Sequence, residues 1–129
     1  MHDVEATMSS ILVIDDDAQV LNLVSEMLRL EGHAVDVAEN GLLAMQKMDC
    51  QRFDLVITDL LMPEKEGLET IVDIRRGDSC MPIVAISGGG RIGPRDYLDT
   101  ARCMGADATL AKPFGRQELL STVNNLLYH

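Results

Sequence analysis

Two kinds of hydrophobic pattern alternate along the chain. Unbroken apolar runs such as Ile11-Leu12-Val13-Ile14, Leu55-Val56-Ile57 and Ile83-Val84-Ala85-Ile86 have the composition and length of strands buried on both faces of a sheet. Between them, apolar residues recur at helical spacing. Val20, Leu21, Leu23, Val24, Met27, Leu28 and Leu30 predict a helix ended by Gly32, a residue suited to the left-handed conformation that closes helices. Ala34 to Ala38 alternates as a short second strand, and Asn40-Gly41 opens a helix carrying Leu42, Leu43, Met45 and Met48.

After the third run, which ends at Asp59, Met62-Pro63 turns the chain, because proline disfavours helix at the residue before it. Gly67 to Arg76 then reads as a helix with Leu68, Ile71, Val72 and Ile74 inward. The fourth strand ends at Ser87, and Gly88 to Pro94 reads as a flexible loop. Pro94 suits a first helical turn, and the helix it opens runs to Met104, closed by Gly105. Thr109-Leu110-Ala111 is a brief last strand, followed by Lys112-Pro113 and a helix from about Arg116 to Leu127. Five strands alternating with five helices call for a parallel sheet covered on both faces. The fold class is α/β, doubly wound, in one domain over residues 10–129 with a loose tail at 1–9.

Composition narrows the function. At 129 residues the chain is long enough for one sizeable core. The formal net charge of −10 disfavours nucleic-acid binding, since phosphate contacts need clustered Lys and Arg. Arg75-Arg76 is the only adjacent basic pair and reads as a solvated helix end. Cys50, Cys80 and Cys103 form no CxxC pair, which points to free thiols in a reducing cytoplasm. No apolar stretch has the roughly 18–20 residues of a membrane span, and the acidic N-terminus lacks the blocks of a signal peptide.

Polar groups end four of the strands: Asp15-Asp16-Asp17, Asp59, Ser87 and Lys112. In a parallel sheet all four lie on the carboxyl edge, where ligands bind. Asp17, just before a helix, fits a capping role, but capping needs only one of the three acids. Two carboxylates beside Asp59 repel it, at a cost on the order of 4 kcal/mol per pair about 4 Å apart. A divalent cation among the oxygens relieves that repulsion, and the donor set suits Mg2+ or Mn2+. Lys112, one of three lysines, is placed to hold an anion such as phosphate, although a lysine of this kind also snorkels at ordinary surfaces.

Ile-Leu-Val-Ile-Asp-Asp-Asp (11–17), Asp-Leu-Val-Ile-Thr-Asp-Leu-Leu-Met-Pro (54–63) with Glu66-Gly67, Ile-Val-Ala-Ile-Ser (83–87), Gly-Ala-Asp (105–107) and Lys-Pro-Phe (112–114) follow in this order. In this the chain resembles the receiver domain of two-component response regulators, over about Ile11 to Leu127. The resemblance implies a flavodoxin-like sheet of order 2-1-3-4-5 and phosphorylation of Asp59 by a histidine kinase or a histidine phosphotransfer protein. It implies Mg2+ (or Mn2+) held by Asp15, Asp16, Asp59 and the Leu61 backbone carbonyl. Ser87 would bond the phosphoryl oxygen, Lys112 would neutralise it, and the Lys112–Pro113 peptide would be cis. The protein so read is a stand-alone cytoplasmic switch, not a turnover enzyme and not a DNA binder. It is a monomer or phosphorylation-dependent dimer, with a protein target on the face of the fourth helix, last strand and last helix.

Two positions depart from the family pattern. Thr109 stands where an aromatic side chain is usual, and Gly88 begins a triple-glycine run in place of the common Ala. The glycine loop is expected to be mobile until phosphorylation orders it around Ser87. Competing readings are a Mg-dependent aspartyl-phosphate phosphatase, which wants an acid where Leu61 stands, and a flavin mononucleotide carrier, whose phosphate three aspartates would repel. A non-phosphorylated pseudo-receiver is the third, and the complete acid, Ser and Lys set argues against it.

Overall fold

A computed structural model describes residues 9–60, 66–87, 102 and 105–128. Its strands are β1 (Ser10–Ile14), β2 (Ala34–Ala38), β3 (Leu55–Asp59), β4 (Ile83–Ser87) and β5 (Ala108–Ala111). They pair in parallel in the order β2-β1-β3-β4-β5, as the resemblance implied. Four helices are described: α1 (Ala18–Leu30), α2 (Gly41–Cys50), α3 (Glu66–Gly77) and α4 (Arg116–Leu127). The expected helix from Pro94 to Met104 and the loop at 88–94 lie outside the described residues, Arg102 excepted, as does the tail at 1–8.

Side chains alternate across a strand, and the core divides accordingly. Leu12, Ile14, Val56, Ile83 and Ala85 pack on one face with Ala44 of α2 and Ile71 and Ile74 of α3. Ile11, Val13, Leu55, Ile57, Val84 and Ile86 pack on the other with Leu21, Val24 and Leu28 of α1 and Leu119 and Val123 of α4. The central strands β1, β3 and β4 are buried almost throughout, which is why they read as continuous apolar runs. Burying each large aliphatic side chain contributes about 1.5–3 kcal/mol, so the strands that end at the acidic edge are firmly anchored.

Helix ends follow local chemistry. Asp17 caps α1 by accepting from the Gln19 amide at 2.9 Å, and Asn40 caps α2 by accepting from Leu43 N at 2.8 Å. Gly32 takes φ +94° just beyond α1. There its amide donates to Arg29 O and the His33 amide to Leu28 O, the paired bonds of a Schellman cap. The helical apolar pattern overstates burial, however. Leu23, Leu30 and Leu42 are largely exposed, while Ser25 and Thr70 are buried.

Candidate functional site

The sheet order reverses direction beside β1, whose chain neighbours β2 and β3 lie on opposite sides of it. A crevice opens at the carboxyl ends of strands at such a switch point. β1 and β3 deliver Asp15 and Asp59 there. Ile14 pairs with Thr58, so the two acids follow at adjacent ends. Asp59 is the last residue of the strand itself, not of the loop after it.

One carboxylate oxygen from each of Asp15, Asp16 and Asp59 lies within 4.8 Å of the others. Asp15 and Asp59 are buried, whereas Asp16 is exposed. Lys112 enters from the end of β5, half-buried, with Nζ 3.6 Å from Asp15 Oδ2 and 3.9 Å from Asp59 Oδ2. One ammonium is thus shared as counter-charge by two buried acids. Ser87, fully buried at the end of β4, accepts the Lys112 backbone N–H on its carbonyl at 2.8 Å. The Lys112–Pro113 peptide is cis, as the resemblance implied.

Burial pushes the Asp15 carboxyl up from 3.8 to about 6, and the neighbouring Asp59 and Asp16 charges push the same way. The Asp17 backbone N–H, 2.9 Å from Asp15 Oδ1, and the Lys112 ammonium oppose the rise without cancelling it. Among the described residues, three hard oxygen donors face the one ammonium of Lys112, an excess of negative charge. A divalent cation that prefers oxygen, Mg2+ or Mn2+, fits such a donor set. Among the described residues this is the one group of three such donors.

The structure brings Asp15, Asp16, Asp59 and Lys112 together and sets Ser87 in the strand beside Asp59. Leu61 and the Met62-Pro63 turn lie outside the described residues. Thr109 is half-buried in β5, and its hydroxyl accepts from the Arg102 guanidinium at 3.3 Å.

One reading from the sequence is corrected. Arg76 is solvated, but Arg75 is not: its side chain is 18% exposed. Arg75 donates to the carbonyls of Gly105 and Met81 and pairs with Asp107 Oδ2 at 2.6 Å. Spacing within α3 holds no signal for this, because the acceptors lie beyond the helix, Met81 shortly after it and Gly105 and Asp107 far along the chain. Asp107, quoted above within a motif, carried the only hint.

No helix among the described residues is long and apolar enough to cross a membrane. Cys50 and Cys80 are free and exposed.

The response regulator receiver domain model matches residues 11–124. The CpxR homolog of Haemophilus influenzae, a transcriptional regulatory protein, is 36% identical over 124 residues, covering 93% of this chain and 51% of that one. CpxR of Escherichia coli is 32% identical over 120 residues, covering 93% and 50%. The chain therefore spans about half the length of the curated relatives it matches. A putative response regulator from Chloroflexus aurantiacus superposes with a TM-score of 0.85 at 30% identity, over 94% of this chain and 98% of that one. NtrX from Brucella abortus, solved with ADP, gives 0.86 at 28% identity over 93% and 27%. Sheet order, acidic edge and these matches together make the chain a member of the response regulator receiver domain family of two-component signalling.

Proposed function

We propose that Asp59 is the phosphoryl acceptor of this receiver. Asp15, Asp16 and Asp59, with the Leu61 carbonyl, would hold Mg2+ or Mn2+, and Ser87 and Lys112 would receive the phosphoryl oxygens. The observation that carries this reading is the Lys112 ammonium 3.9 Å from an Asp59 oxygen whose neighbours are two further carboxylates. Phosphoryl transfer asks a protein chiefly for a positioned nucleophile and for cations on the transferring oxygens.

The donor is a phosphohistidine of a kinase or phosphotransfer protein. An Asp59 oxygen attacks phosphorus, the P–N bond breaks, and the imidazole leaves with its electron pair. Burial of Asp59 limits water around the nucleophile and strengthens its attraction to Lys112. Mg2+ or Mn2+ held by Asp15, Asp16 and Asp59 would supply charge neutralisation for the phosphoryl oxygens. The Ser87 hydroxyl donates to one such oxygen and the Lys112 ammonium to another, so the charge that arrives is met on two sides.

The protein takes up one phosphoryl group and slowly loses it by hydrolysis, in which water releases inorganic phosphate and restores the Asp59 carboxylate; it is not a turnover enzyme. The output is a changed protein contact on the face of β5, α4 and the helix expected at 94–104. Intact mass after incubation with acetyl phosphate tests the reading. One phosphoryl adduct is expected with Mg2+ and none with a chelator; an adduct of equal yield in both overturns the metal's role.

A further inference from the structure

β5 is four residues long, lies at the sheet edge, and buries only Leu110 deeply. Register in a sheet is enforced by the buried side-chain pattern, and one deep residue enforces it weakly. Lys112 nevertheless sits one residue beyond this strand and must meet Asp15 and Asp59. A slip of two residues, which preserves the facing of Leu110, would carry Lys112 about 7 Å along the strand. That displacement exceeds both of its separations from the acids.

The opposite end of β5 supplies the missing constraint. The Asp107 backbone N–H donates to Ile83 O at 2.8 Å, and Asp107 Oδ2 accepts from Ile83 N at 2.8 Å. One residue thus grips both backbone groups of the first residue of β4. The same Oδ2 takes the Arg75 guanidinium at 2.6 Å, which ties the grip to α3. Arg75 also donates to Gly105 O through Nε at 3.0 Å and through its terminal nitrogen at 2.7 Å, fixing the two ends of the Gly105–Asp107 turn. Gly105 has φ +121°, and a Cβ there would meet Arg75 at 3.0 Å, so a side chain is excluded where the guanidinium crosses.

We propose that Arg75 and Asp107 are positioning residues for phosphoryl transfer: by locking the register of β5 on β4 at one end, they hold the Lys112 ammonium against Asp59 at the other. This rests on the assignment of Asp59 as acceptor. The lock is remote from the reacting atoms, and its effect on the reaction runs through Lys112.

The test is a double-mutant cycle on the rate of phosphoryl uptake from acetyl phosphate at saturating Mg2+, with thermal melting recorded beside it. Asp107→Asn is expected to slow uptake by roughly 10- to 100-fold, the scale at which ångström misplacements act. In a Lys112→Met background the same substitution is expected to leave the rate unchanged, while lowering the melting temperature in both backgrounds. A merely structural role moves melting without this non-additivity. Equal slowing in both backgrounds, or none in either, overturns the proposal. Arg75→Gln breaks the lock from the helix side without touching β5 and carries the same expectation should Asp107→Asn fail to fold. Failure of wild type to take up phosphoryl in an Asp59-dependent way overturns the acceptor assignment first, and this inference with it.

Discussion

Lys112 Nζ lies 3.6 Å from Asp15 Oδ2, closer than to Asp59. The ammonium is therefore shared, and in the resting protein it partly serves an acid other than the proposed acceptor. A phosphoryl group on Asp59 brings further negative charge and competes for it. Lys112→Met leaves two buried carboxylates facing each other without that counter-charge. Without Mg2+ at pH 7 we expect a loss of about 1–3 kcal/mol, between the values of exposed and buried ion pairs, measured by urea unfolding. A variant as stable as wild type would show that the pairing contributes nothing.

The raised Asp15 carboxyl gives a pH dependence of definite sign. Its value is about 6 in the fold against an ordinary 3.8, so the folded state binds more protons in that window. Stability contributed by the protonated acid is present below about pH 4 and is lost as pH rises through 6, by about 3 kcal/mol at most. Mg2+ should reverse the loss, because a cation favours the ionised acid. Melting temperature measured from pH 4 to 8 should fall without Mg2+ relative to its value with Mg2+. Parallel curves would contradict the assignment.

Gly105 is held at φ +121° with Arg75 atoms 3.0 Å from where a Cβ would stand. Gly105→Ala should therefore cost about 1–3 kcal/mol, from backbone strain and from displacement of the guanidinium. Gly77→Ala meets nothing within 4 Å and should be neutral or slightly stabilising. Chemical denaturation of the two variants checks the contrast.

Position 61, two residues after the proposed acceptor, is leucine. An apolar side chain cannot orient a water for attack on the acyl phosphate, so the phosphoryl form should be long-lived. Leu61→Asn should shorten its half-life, followed by loss of the adduct after acetyl phosphate is removed. An unchanged half-life would remove the argument.

The strands were legible because burial on both faces leaves only apolar residues, and Asp59 stood out as the acid such a run delivers. Asp17 and Asn40 announced their helices because a cap is decided by local hydrogen bonds. Helix faces were less legible. Seven apolar residues in α1 exceed what one helix can bury on one sheet face, and the surplus, Leu23 and Leu30, points outward. Arg75 was misread because its fate is set by carbonyls from the turn at Gly105 and the approach to β4 at Met81. Nothing in α3 distinguishes it from its solvated neighbour Arg76.

The central claim is that one carboxylate, Asp59, receives the phosphoryl group. Borohydride reduction of the phosphorylated protein converts an acyl-phosphate aspartate to homoserine, and peptide mass mapping then locates it. The account predicts homoserine at position 59 alone in the wild type, and none in Asp59→Asn treated alike. Homoserine at position 15 or 16 of the wild type, or at no position, would contradict it.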